Sequence, residues 1–119
     1  TSNPQWYRLP ELRWAFGRIV PPEDRALLVF VPTALQVRDW RRDAYYQHLA
    51  VQLGMELGFK FCEVLDFETS NPAATPGLLA AASCLYVEGG NTFALRHFAR
   101  PFDAAVADAL RGGLPYVGV

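Results

Sequence analysis

The segment Glu88-Gly89-Gly90-Asn91-Thr92 has the residue types that chemistry at a carbonyl or phosphoryl group requires. An apolar run that reads as a strand, Ser83-Cys84-Leu85-Tyr86-Val87, leads into it, and a helical pattern from Phe93 to Arg100 follows. A strand that turns into a helix through two glycines brings free backbone N–H groups and the positive end of a helix dipole to one point. Glycine permits positive φ and close approach of another group, while Asn91 or Thr92 can cap the helix by accepting from N–H groups two or three residues on. Two anions suit such a point: a phosphate, or the oxyanion that forms when a carbonyl is attacked. A tight turn with a well-capped helix and no ligand accounts for the same residues.

Phosphate is the weaker functional option, because no Gly-Lys-Ser/Thr follows the glycines and no Gly-x-Gly-x-x-Gly occurs in the chain. The oxyanion option gains from the far end. There Gly118-Val119, after the apolar Leu114-Pro115-Tyr116-Val117, supplies the first two positions of a Gly-x-Ser-x-Gly nucleophile elbow. The nucleophile would be the residue after Val119. Glycines near strand ends are commonplace, so this ending carries weight only together with the first turn.

Other reactive side chains fit plainer roles. His48 and His97, the only histidines, both fall on predicted helices and read as helix-face residues, so neither is assigned to a triad. Arg38, Arg41 and Arg42 read most simply as a solvated helix start, with attraction of an acidic substrate as the alternative. Cys62 and Cys84 lie in apolar runs and read as buried reduced thiols. No His, Cys and carboxylate set has metal-ligand spacing, and no cofactor is implied.

These candidates must be positioned by an alternation of short apolar runs and helical patterns. Ala26–Val31, ending at Pro32, reads as a strand covered on both faces, and Phe59–Phe67 as a strand nearer the sheet edge. Between them, Asp39–Leu57 has helical spacing, with Ala44, His48, Val51 and Met55 beside Tyr45, Leu49 and Leu53, and Gly58 as its stop. Thr69-Ser70-Asn71-Pro72 is loop chemistry, followed by a short helix over 76–82. Pro101 opens another helix, with Phe102, Ala105, Val106 and Ala109 on one face and Gly112-Gly113 closing it. Near the start, Leu9, Leu12, Phe16 and Ile19 share a face, which predicts a helix over 10–18 entered from a Ser2-Asn3-Pro4 turn. Strands joined by helical crossovers predict an α/β fold of flavodoxin-like type: a mostly parallel sheet with helices on both faces and chemistry at the strands' carboxyl ends.

Composition bounds the function. With 119 residues the chain is one domain at most, and 51% apolar against 19% charged residues is a globular balance. Eleven Lys and Arg against 12 Asp and Glu leave no basic field for nucleic acid or anionic lipid. No apolar run approaches the ~20 residues that span a bilayer, and the start has no secretory pattern, so the expectation is a cytoplasmic protein.

The run Leu85-Tyr86-Val87-Glu88-Gly89-Gly90-Asn91-Thr92-Phe93-Ala94-Leu95, with Leu114–Val119 at the right distance, resembles the GGNTF-x-L and (Y)-(I/V)-G-x-S-A-G segments of the dipeptidase E family, peptidase family S51. Val29-Phe30-Val31-Pro32-Thr33-Ala34 resembles that family's second strand with its Pro-x-Ala ending, and Thr1-Ser2-Asn3 the turn after its first strand. The resemblance implies a fold similar to class I glutamine amidotransferases, and a Ser nucleophile with His and an acid from later chain. It also implies that Gly89 and Gly90 lie beside the nucleophile, with an amide here, Gly90's foremost, donating to the oxyanion, and that Asn91 and Thr92 support the turn. The activity implied is hydrolysis of small peptides with N-terminal Asp. Many family members have a third glycine where Glu88 stands; its carboxylate is read as structural, with binding of a substrate amine as the alternative.

The competing readings are a cyanophycinase-like or other S51 peptidase, and a non-catalytic module holding an anion at Gly89-Gly90. Both ends fall inside what should be central strands, so residues 1–119 are expected to be the N-terminal portion of one hydrolytic domain, truncated before the nucleophile. The implied partners are a small peptide substrate and the remainder of the polypeptide or a second fragment, with a homodimer open and neither nucleic acid nor membrane.

Overall fold

Four consecutive apolar residues, Leu28, Val29, Phe30 and Val31, are each at most 2% exposed, because the strand they form is covered on both faces. Complete burial of side chains of this size stabilises the fold by about 1.5–3 kcal/mol each. The computed structural model describes residues 6–119, in the order α1 (Pro10–Ile19), β1 (Leu27–Val31), α2 (Arg42–Leu57), β2 (Phe61–Val64), α3 (Thr75–Ala81), β3 (Cys84–Val87), α4 (Thr92–Ala99), α5 (Asp103–Arg111) and β4 (Tyr116–Gly118). The turns expected at Thr1-Ser2-Asn3 and Ser2-Asn3-Pro4 fall largely outside the described residues.

All strand pairs are parallel and the sheet order is β2-β1-β3-β4. Side chains alternate between the faces, as a period of two demands. Leu28, Phe30, Cys84 and Tyr86 pack with Phe16 of α1 and Ala50, Leu53 and Leu57 of α2. Val29, Val31 and Leu85 point the other way, towards Leu79 of α3, Leu95 and Phe98 of α4, and Ala105, Val106 and Ala109 of α5. This is the α/β architecture with helices on both faces that the alternation predicts. From β1 the chain crosses to β2 on one side and then returns to β3 and β4 on the other. The carboxyl ends of β1 and β3 therefore flank the point where strand order reverses, where α/β sheets open a crevice for ligands.

Several expectations need correction. The buried stripe of α2 is Tyr46, Ala50, Leu53, Gly54 and Leu57. Of the residues whose spacing predicts the helix, Leu53 is buried and Leu49 is half-buried; Tyr45, Val51 and Met55 are exposed, as are Ala44 and His48. Apolar residues occupy both sides of this helix, so spacing alone could not say which side meets the sheet. The helix begins at Arg42, after a turn in which the Asp39 carboxylate accepts from the Arg41 amide at 2.9 Å. Gly58, at φ 78°, ends it by donating to the carbonyls of Gly54 and Met55, as expected. On α1 only Phe16 of the expected face is buried. Leu12 and Ile19 instead line an open groove of about 310 Å³ with Trp6, Val117 and Val119, along the free side of β4. The strand expected over 59–67 is regular only at Phe61–Val64, and it does lie at the sheet edge.

Candidate active site

At the carboxyl end of β3 the amide of Glu88 still donates to Val31 at 2.9 Å, so Glu88 prolongs the ladder before the chain turns. Gly90 has φ +145°, a conformation that side chains disfavour. A Cβ there would stand 2.5 Å from the carbonyl oxygen of Ala34, closer than atoms can approach. Glycine is thus required at this position, on two independent grounds. Asn91 follows as the helix cap: its side-chain oxygen accepts from the Ala94 amide at 3.0 Å. Thr92 is the first residue of α4, so of the two expected cap residues Asn91 does the work. Among the described residues, the amides of Gly89 and Gly90 have no backbone acceptor. They stand at the amino end of α4, where negative charge is favoured.

The loop after β1 meets this turn across the crevice. Thr33–Leu35 forms a short helical turn, and the carbonyl of Ala34 accepts from the Asn91 amide at 2.8 Å. On the other flank, β4 pairs with β3 so that Tyr116, Val117 and Gly118 stand opposite Leu85, Tyr86 and Val87. The Val119 amide then donates to the Val87 carbonyl at 3.1 Å. The bend Glu88-Gly89-Gly90 and the end of β4 are therefore neighbours. Gly118 is exposed, and a Cβ on it would stand 2.7 Å from the Tyr116 hydroxyl.

Beyond the loop lies a polar cluster that sequence reasoning missed. Asp66, 3% exposed, accepts from Arg42 through Oδ2 (2.7 Å from Nη2, 3.2 Å from Nε) and through Oδ1 from the Thr33 hydroxyl at 3.0 Å and the Glu68 amide at 3.1 Å. The Thr33 hydroxyl in turn accepts from the Phe67 amide at 2.8 Å. Glu68 accepts from Arg38 at 2.7 Å and Arg42 at 3.1 Å. Burial alone would raise the Glu68 pKa, but these hydrogen bonds outweigh it and hold the carboxyl below its ordinary value. Of the solvated helix start expected at Arg38, Arg41 and Arg42, the first two are exposed, Arg38 beside Glu68 and Arg41 beside Asp39, and the correction concerns Arg42, which is mostly buried in ion pairs. An acid between Leu65 and Phe67 was the available cue, since a carboxylate inside an apolar run needs a buried partner.

His48 is exposed on α2, and His97 is exposed on α4 with its ring edge-on to Phe98 at 4.9 Å. Cys84 is buried, Cys62 is half-buried, and both are free thiols. No helix among the described residues is long and apolar enough to cross a membrane.

No curated protein matches the sequence. Among solved structures, a protein from Listeria monocytogenes EGD-e, provisionally named peptidase E, superposes with a TM-score of 0.64 at 24% identity over 87% of this chain. That likeness shows the fold, and this chain spans 50% of that protein's length. The pattern that defines peptidase family S51 matches residues 9–119, and with the glycine turn and the end of β4 inside that match, the chain belongs to peptidase family S51.

Proposed function

We propose that this chain supplies the oxyanion-binding part of a serine peptidase of the dipeptidase E type, which hydrolyses small peptides carrying an N-terminal Asp. The observation that carries the reading is the Val119 to Val87 hydrogen bond, which directs the continuation of β4 to the side of Gly89 and Gly90. In this reading the residue after Val119 is a Ser, and its hydroxyl attacks the peptide carbonyl. A His from later chain, oriented by an acid, takes the proton and returns it to the leaving amine. The carbonyl oxygen, now negative, accepts from the free amides at Gly89 and Gly90, where the start of α4 adds its dipole. Water then releases the acyl group.

The proposal is tested by replacing the residue after Val119 with Ala in the full-length protein and assaying Asp-Leu hydrolysis. Loss of a nucleophile lowers kcat by at least about 10³-fold. Hydrolysis at the parental rate would contradict the reading. A panel of β-aspartyl peptides, run beside Asp-Leu, separates this substrate preference from that of a cyanophycinase-like enzyme.

A further inference from the structure

We infer that Thr33 and Asp66 are positioning residues for the glycine turn, acting through the Ala34 carbonyl; the inference rests on the proposed oxyanion role of that turn. Across the crevice, Gly90 and Asn91 both meet the backbone of Ala34. The Ala34 oxygen accepts from the Asn91 amide at 2.8 Å and occupies the space that a Cβ on Gly90 would need. The Thr33–Leu35 turn therefore takes part in setting where the two glycine amides face.

That turn is itself held from below. Thr33 is fully buried, and its hydroxyl uses both capacities: it donates to Asp66 Oδ1 and accepts from the Phe67 amide. Its carbonyl accepts from the Gln36 side chain at 2.6 Å. Asp66 is locked in turn by the fork of Arg42 on its other oxygen. The chain of contacts runs from the Arg42 guanidinium through Asp66 and Thr33 to Ala34 and ends at the amide of Asn91. Each link is a directional hydrogen bond or a covalent neighbour, and a buried group that loses such a partner has no water to replace it. Loss of the Thr33 hydroxyl leaves Asp66 Oδ1 and the Phe67 amide each short of a partner and frees the turn to shift. A misplacement of about 1 Å at a reacting centre can cost about 10²-fold in rate.

The test compares the full-length protein with its Thr33→Val, Thr33→Ser and Leu57→Ala variants. Val keeps the shape of Thr and removes the hydroxyl, Ser keeps the hydroxyl, and Leu57→Ala destabilises the face of the sheet away from α4. Amide hydrogen exchange at Asn91 is read beside kcat and KM on Asp-Leu. In Thr33→Val, Asn91 exchange rises by roughly tenfold beyond the change in global stability, and kcat falls by a similar factor while KM holds. Thr33→Ser restores both, and Leu57→Ala changes neither beyond its global effect. Asn91 exchange in Thr33→Val that merely follows global stability overturns the inference, and so does faster exchange with unchanged kcat. If the parent protein hydrolyses no peptide, the proposed function fails, and the exchange comparison alone still decides whether Thr33 holds the turn.

Discussion

The amide of Val119 donates to the carbonyl of Val87 at 3.1 Å, one step beyond the pairing of Gly118 with Val87. Because β3 and β4 are parallel, the two chains leave the sheet at the same end and side by side. One leaves as the bend Glu88-Gly89-Gly90, the other as whatever follows Val119. The proposed nucleophile and its oxyanion donors would need this adjacency.

Gly90→Ala should be the most damaging small substitution in the turn. It combines a φ of +145° with a contact of 2.5 Å to the Ala34 oxygen. Backbone strain of this kind costs about 1–3 kcal/mol, and the clash adds to it. Urea denaturation should show that loss, and peptidase activity should fall further than stability explains. An Ala variant with parental stability would mean the turn is looser than described.

Asn91→Ala removes the acceptor for the Ala94 amide and should cost about 1 kcal/mol, with Asn91→Asp or Asn91→Ser recovering most of it. Thermal melts of the three variants check the order. An equal effect from Thr92→Ala would contradict the assignment of the cap to Asn91.

Removing Arg42 strands the buried Asp66 carboxylate, whereas removing Asp66 leaves Arg42 paired with Glu68. Arg42→Ala should cost about 3–5 kcal/mol, Asp66→Ala less, and the double replacement less than their sum. The same cluster sets an acid limit. Glu68 titrates below its ordinary 4.5, so its contribution is complete above that value and is lost as pH falls below it. Glu68→Gln should flatten the acid limb of stability against pH.

Burial raises the Cys62 and Cys84 thiols to about 12, and nearby Glu63 adds to the effect at Cys62. The unfolded chain therefore gives up these protons first. Stability from this source is complete below the ordinary thiol value of 9.0 and declines as pH climbs from there towards 12. Cys84→Ala should move the alkaline limb to higher pH, and Cys84 should resist thiol reagents in the native state.

Much of this was legible in the sequence for identifiable reasons. Val29 to Val31 had to be a strand buried on both faces, and Glu88-Gly89-Gly90-Asn91-Thr92 between strand and helix had to be a capped turn. Each is a local pattern with a local cause. The sheet-facing side of α2 was not legible, because Tyr45, Val51 and Met55 give its solvent side an apolar appearance that only tertiary contact resolves. Nor was the tie from Thr33 to Asp66, 33 residues apart, or the Ala34 carbonyl on Asn91. Contacts between backbone atoms of different loops leave no mark on residue type, apart from the glycine at position 90 that makes room for one.

The most direct test of the central claim is a crystal structure of the full-length protein after reaction with a peptide phosphonate that traps serine nucleophiles. The account predicts phosphorus bonded to the side chain of the residue after Val119, with the phosphonyl oxygen about 3 Å from the Gly89 or Gly90 amide. An adduct elsewhere, or an oxygen turned away from those amides, would contradict it.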